Sequence, residues 1–252
     1  MNITVLTLFP SIVEGYFNSS IMARAVEQQK ISYKVVNIRD YALDKHRTCD
    51  DAPYGGGPGM VLKPEPLGRA IENETGPESR IIYPSPGGKL YHQKLADELA
   101  LEKDVTIICG RYEGIDQRII DLYVNDEISI GDYVLSSGEI AALVIIDAVY
   151  RLREGVINAY SLKEESFQAG YVEYPQYTRP ETYKGVGVPD VLLSGHHEKI
   201  ADWRLKRGIE KTLDNRPDLL RKRNRKQKVF PFPEDEERIL EEVLRDRFKI
   251  NR

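Results

Sequence analysis

Three glycine-bearing segments of this 252-residue chain hold residues suited to chemistry: SPGGK at 85–89, CGRYEGID at 109–116 and SIGDYVLSSGE at 129–139. Each sits by a β-rich run, so each would stand at the carboxyl end of a strand, where helix N-termini and open backbone amides face a crevice. Glycine there admits close approach or positive φ, and any one segment alone reads as an ordinary βα turn. Three in succession favour a small-ligand site. None matches the phosphate-loop pattern GxxxxGK[ST], and none is a GxGxxG after a first strand, which disfavours a nucleotide-phosphate or dinucleotide fold.

A fourth segment, HRTCDDAPYGGGPGM at 46–60, sets His46, Arg47, Asp50 and Asp51 beside four glycines and two prolines. Ordering so glycine-rich a loop is costly, so titratable side chains clustered beside it point to function as readily as to a mobile surface loop. The formal charge of −4 argues against a polyanion partner, yet 196–229 carries twelve Lys or Arg against five Asp or Glu. Six of those basic residues fall in RKRNRKQK at 221–228. This run reads either as a solvated helix end or as a grip on phosphate.

The elements that must position these segments alternate. Strands are expected over 2–8, 31–38, 80–83, 104–109 and 127–130, and helices over 12–29, 90–100, 115–123 and 140–150, from β-branched runs and helical spacing. Such β-α alternation implies an α/β fold with a parallel sheet covered by helices on both faces. The pattern breaks after Gly155. A Tyr-, Gly- and Pro-rich stretch over 158–180 reads as a flexible interdomain linker between a first domain, 1–157, and a small all-helical domain, 181–252. In the latter a helix opens near Ser194, with Ile200, Trp203, Leu205 and Ile209 as inward positions, and an amphipathic segment covers 234–248.

With 41% apolar residues the chain can bury a core. Its two cysteines, Cys49 and Cys109, lie far apart with no CxxC pairing, so neither a disulfide framework nor a zinc site is supported. The N-terminal stretch lacks a basic region and a small-residue cleavage site and carries Glu14, and no window approaches a membrane span. A cytoplasmic location, away from membranes, is expected.

Taken together, HRTCDDAPYGGGPGM, CGRYEGID, SIGDYVLSSGE, ESF at 165–167, PQYTRP at 175–180 and LLSGHHEKIADWRLK at 192–206 resemble the bacterial TrmD family of tRNA (guanine-N1)-methyltransferases. These act on the guanosine just 3′ of the anticodon. The resemblance runs from LFP at 8–10 past Trp203 and fades over roughly the last thirty residues. It implies a first domain of the SPOUT fold with a deep trefoil knot, which topology rules alone would not suggest. It further implies tRNA as partner, an obligate homodimer with sites built from both chains, and S-adenosylmethionine as methyl donor. Magnesium is also implied, with Glu113 or the catalytic carboxylate taking part, although the sequence offers no dedicated metal cage.

Carried over by position, the methyl donor would touch Tyr83, Pro84 and Pro86 in the first segment. Gly110, Tyr112 and Glu113 would follow in the second, and Ile130, Gly131, Asp132, Tyr133, Val134, Leu135 and Gly138 in the third. Ser137 stands where the family often has another glycine. The guanine and its tRNA would fall to His46, Asp50, Pro58 and Gly59, and to Arg221, Lys222 and Arg223. Guanine N1 bears a proton at neutral pH, so methylation needs a base at N1 and a donor to the charge developing on O6. Arg151 matches the family's arginine for O6; without the resemblance it reads as a helix-end dipole partner or ion pair. Glu165, with Glu164 beside it, stands where the family usually has an aspartate.

Overall fold

Residues 1–158, 161–162, 165–167, 170–220 and 234–249 are described by the computed structural model, in which contacts divide the chain into Met1–Asn158 and Ala159–Arg252. The first unit begins β1 (Asn2–Thr7), α1 (Pro10–Phe17), α2 (Ser20–Glu27), β2 (Ser32–Asn37), β3 (Asp50–Asp51), β4 (Val61–Leu62) and α3 (Pro64–Glu74). It continues β5 (Arg80–Leu90), α4 (Gln93–Ala100), β6 (Asp104–Ile108), α5 (Gln117–Tyr123), β7 (Asp126–Ser129) and α6 (Gly138–Tyr150). Five strands make one sheet in the order β2-β1-β6-β5-β7, all pairs parallel.

Side chains alternate across a strand, so each strand feeds two cores. Ile3 and Val5 of β1 join Val13, Phe17, Leu99 and Ile145 of the helices on one face. Leu6 and Leu8 join Leu67, Ala70 and Ile71 of α3 and Ile119 of α5 on the other. Both faces are therefore covered, which explains why buried residues follow one another in β1 and β6, Thr7 and Thr106 included.

The expected helix over 12–29 is two helices. Ser19 Oγ donates to Gly15 O at 2.7 Å and Ser20 has φ +52°, so the polar run Asn18–Ser20 takes over backbone bonding that a continuous helix would need. Helix α3 was not expected, although Pro64 at its first turn and the spacing Leu67, Ala70, Ile71 announce it. SPGGK is not a compact turn but part of β5, whose pairing with β7 shifts register between Pro84 and Lys89, where two prolines lack the N–H for the ladder.

The second unit contains β8 (Thr182–Tyr183), β9 (Val186–Gly187), α7 (Asp190–Leu193), α8 (His197–Asn215) and α9 (Glu234–Lys249). The expectation of an all-helical domain is thus corrected: β8 and β9 pair antiparallel about Lys184 and Gly185, at φ +51° and +81°, the backbone of a tight hairpin. Ile209 of α8 meets Ile239 and Val243 of α9 in a buried seam. Exposed ion pairs Lys206–Glu242, Arg238–Asp202 and Arg247–Asp214 flank it and add little to its stability. Part of the stretch read as a flexible interdomain linker, 158–180, packs on α8. Val172 N donates to Thr212 Oγ1 at 2.9 Å, and Gly208 of α8 leaves room for the Val172 carbonyl. Among the described residues no helix is long and apolar enough to cross a membrane.

Candidate active site

At the carboxyl ends of β5, β6 and β7 the three glycine segments close around a cavity of about 270 Å³. Tyr83, Pro84 and Pro86 contribute from β5, Gly110, Tyr112 and Glu113 from the loop after β6, and Ile130, Gly131, Tyr133, Val134, Leu135 and Gly138 from the loop after β7. Of the residues singled out for this site, Asp132 alone is not among its lining. Ser137, noted as a departure from the family, lines it too, as do Ser85, Arg111, Ser129, Ser136 and Ala141, which sequence reasoning passed over.

Close backbone approach shapes the cavity. Gly138 N donates to Gly110 O at 2.9 Å, and a Cβ on Gly138 would lie 2.6 Å from Gly110 N. Two main chains touch there, which only glycine permits. Ser137, by contrast, has φ −161°, extended backbone open to any residue, so it costs the loop nothing. The Tyr83 ring lies against Gly110, and burial pushes its phenol pKa up, keeping the hydroxyl protonated. Tyr112 holds φ +56°, a conformation costing a non-glycine residue about 1 kcal/mol or more. Tyr133 Oη donates to Ile130 O at 3.1 Å, while Val134 is 91% exposed and forms an apolar lip.

Beneath the lip lies a buried carboxylate. Glu139, in the first turn of α6, is fully buried; its Oε1 accepts from Thr7 Oγ1 at 2.6 Å. Arg111 approaches its Oε2 to 3.4 Å without hydrogen-bond alignment, sits over the Phe9 ring at 4.2 Å and donates to Ser136 O at 3.4 Å. Both residues lie inside the noted motifs. A charge opening a helix whose next seven residues are all apolar was the signal that could have found Glu139.

The 46–60 loop is clipped to the second glycine segment: Glu113 N donates to Met60 O and Leu62 N to Gly114 O, both at 3.0 Å. Gly59, at φ +86°, presses against the Glu113 carboxylate so closely that any Cβ would overlap it. Pro58 is exposed next to it. Asp50 pairs with Leu62 across β3 and β4, and exposed His46 donates its backbone N–H to Asp44 Oδ2 at 3.0 Å. Arg151 caps the far end of α6. Glu165 belongs to the second unit, and Glu164, Arg221, Lys222 and Arg223 lie outside the described residues. Among the described residues no three His, Cys, Asp or Glu side chains stand together ready for a metal ion.

A helix-covered parallel sheet with a glycine-lined cavity at its strand ends defines an α/β protein of the kind that holds a small ligand across adjacent βα loops. The family described as tRNA (Guanine-1)-methyltransferase TrmD matches residues 1–222. A tRNA (guanine-N(1)-)-methyltransferase of Treponema denticola is 62% identical over 222 residues, 88% of this chain and 91% of that protein. Its counterpart in Treponema pallidum is 62% identical over 220 residues, covering 87% and 88%, and that of Borrelia hermsii 58% over 221, covering 87% and 92%. The chain belongs to the TrmD family.

Proposed function

We propose that this chain transfers the methyl group of S-adenosylmethionine to N1 of guanosine 37, immediately 3′ of the anticodon of tRNA, as a cytoplasmic homodimer. One observation carries the reading: in a TrmD-family chain, the three segments assigned to the methyl donor meet around a single cavity. The residues fit such a donor. Gly110 and Gly138 form a cradle that side chains would fill, and Tyr83, Ile130 and Leu135 offer apolar walls beside polar backbone. Bound there, the sulfonium would supply an electrophilic methyl group.

The chain's own groups would do the rest. Glu165 takes the N1 proton, and Arg151 donates to O6 as negative charge develops. Gly59 and Pro58, with Asp50 and His46, flank the guanine, and Arg221, Lys222 and Arg223 hold phosphate. Support for the dimer comes from α6. Its 13 residues span about 20 Å, with Gly138 at the cavity and Arg151 at the opposite end, so Arg151 would serve the cavity of a second copy. A SPOUT knot is supported by the path from β7, at the sheet edge, back to Gly110 at the end of β6.

Labelled S-adenosylmethionine and tRNA transcripts carrying G37 or A37, followed by primer extension, test this. The G37 transcript takes the label and gains a stop at 37, because an N1 methyl blocks base pairing. Label without a stop would place the methyl off the base-pairing edge, on a ribose hydroxyl or another ring position, and would overturn the assignment.

A further inference from the structure

The second unit has a cleft of its own, about 430 Å³, larger than the cavity in the first. One wall is the segment carrying Tyr174, Gln176, Tyr177 and Arg179; the other comes from α7 and α8 and includes Leu193 and Ile200. The aromatic wall is braced by neighbouring rings and guanidinium groups. The Arg204 guanidinium lies 4.9 Å from the Tyr174 ring, and the Tyr177 ring centre is 6.2 Å from that of Trp203, which Arg207 covers at 5.9 Å. Even so, Tyr177 is 46% and Leu193 51% exposed. At the rim, Arg179 and Glu181 are exposed, and among the described residues neither is used in an ion pair.

Flat aromatic and aliphatic surface ringed by a guanidinium, an amide and a carboxylate suits a planar ligand with hydrogen-bonding edges. Single-stranded RNA offers such groups: unstacked bases lie on tyrosine rings while arginine meets their edges or phosphates. A protein segment seeking the same apolar wall would have to desolvate the unpaired rim charges. The unit's sequence excess of basic residues over 196–229 favours a polyanion too.

We propose that this cleft seats an unpaired nucleotide of the tRNA, its base stacked on Tyr177 and its edge or phosphate met by Arg179. This rests on the tRNA reading above, and the nucleotide is distinct from the one methylated, since neither Arg151 nor Glu165 lines the cleft.

The test uses the full chain and a tRNA transcript. Tyr177→Ala weakens tRNA binding by roughly tenfold, the scale of one lost base stack, while Tyr177→Phe restores it. Arg179→Ala weakens binding and lowers its salt dependence. Zero-length ultraviolet crosslinking places an adduct in the peptide spanning 174–181. Circular dichroism and S-adenosylmethionine binding like wild type exclude misfolding as the cause. Affinity within twofold of wild type for Tyr177→Ala, or adducts confined elsewhere, would overturn the proposal. So would a changed oligomeric state with unchanged tRNA affinity, which would assign the cleft to a second copy. Wild-type methylation of the same transcript separates the failures: without it the tRNA reading falls too, and with it only the cleft does.

Discussion

Arg111 Nε stands 3.4 Å from Glu139 Oε2, joining the loop after β6 to the first turn of α6 through a carboxylate with no solvent exposure. The pair ties together two of the three segments around the cavity. A buried charge tolerates its setting only while its partners persist.

Arg111→Ala would leave that carboxylate facing Thr7 alone. Loss of one member of a buried pair costs about 3–5 kcal/mol, and the arginine's partial exposure puts the expectation near the lower end. Urea unfolding should show it, with weaker S-adenosylmethionine binding. Glu139→Gln, which removes the charge and keeps the Thr7 partner, should lose less. Equal stability of Arg111→Ala and wild type would show that Thr7 suffices.

The glycines of the site differ in what they tolerate. A Cβ on Gly138 would meet the Gly110 backbone at 2.6 Å, whereas one on Gly87 would meet only Ser85 Oγ, at 3.7 Å. Gly138→Ala should therefore weaken S-adenosylmethionine binding at least tenfold and cost about 1–3 kcal/mol of stability. Gly87→Ala should stay close to wild type in both. Isothermal calorimetry and denaturant titration compare them, and tight binding by Gly138→Ala would mean the contact yields easily.

Stability against pH should carry the mark of Glu74. Lys34 and Tyr41 both hydrogen-bond to its carboxylate, and the Lys34 bond, followed by that of Tyr41, lowers its pKa below 4.5. Its contribution is thus complete above pH 4.5 and is lost as pH falls through the lowered value. Tyr41 is pushed up to about 12, first by the Glu74 bond and then by burial, so its contribution holds below pH 10 and fades as pH rises through 12. The melting temperature of wild type minus that of Glu74→Gln should be largest between those limits and shrink on both sides. A difference that does not vary with pH contradicts this account.

What the sequence made legible follows from range. Strands β1 and β6 announce themselves by β-branched residues, and the glycine segments by composition, because burial and backbone freedom act on each residue where it stands. Register and touching do not. Nothing in SPGGK says that β5 runs on to Leu90, nor in SSGE that Gly138 rests on Gly110. Arg111 and Glu139 lie 28 positions apart, and their pairing appears only when the chain returns from β7 to β6. Asp132 fails to line the cavity because Gly131, at φ +145°, turns the chain sharply before it, a local geometry that a motif does not encode.

Glu165 carries the sharpest chemical prediction. Ser166 and Phe167, directly after it, are tied by hydrogen bonds to the 171–173 segment. Ser166 N donates to Glu173 Oε1 at 3.1 Å, Ser166 Oγ accepts from Glu173 N at 3.0 Å, and Phe167 N donates to Tyr171 O at 2.9 Å. A carboxylate one methylene longer than the family's usual aspartate stands next to these bonded residues, and its reach should matter. Under the proposed role as base for N1, Glu165→Gln should be slower by about 100-fold or more in single-turnover transfer. Affinities for tRNA and S-adenosylmethionine should change little. Glu165→Asp keeps the acid and should fall between the two, and Ser166→Ala, which removes the bond to Glu173 N, should lower the rate modestly without touching donor binding. Glu164→Gln is the necessary control. If it abolishes transfer while Glu165→Gln retains full rate, the proton goes to the neighbouring carboxylate, and the assignment of Glu165 falls.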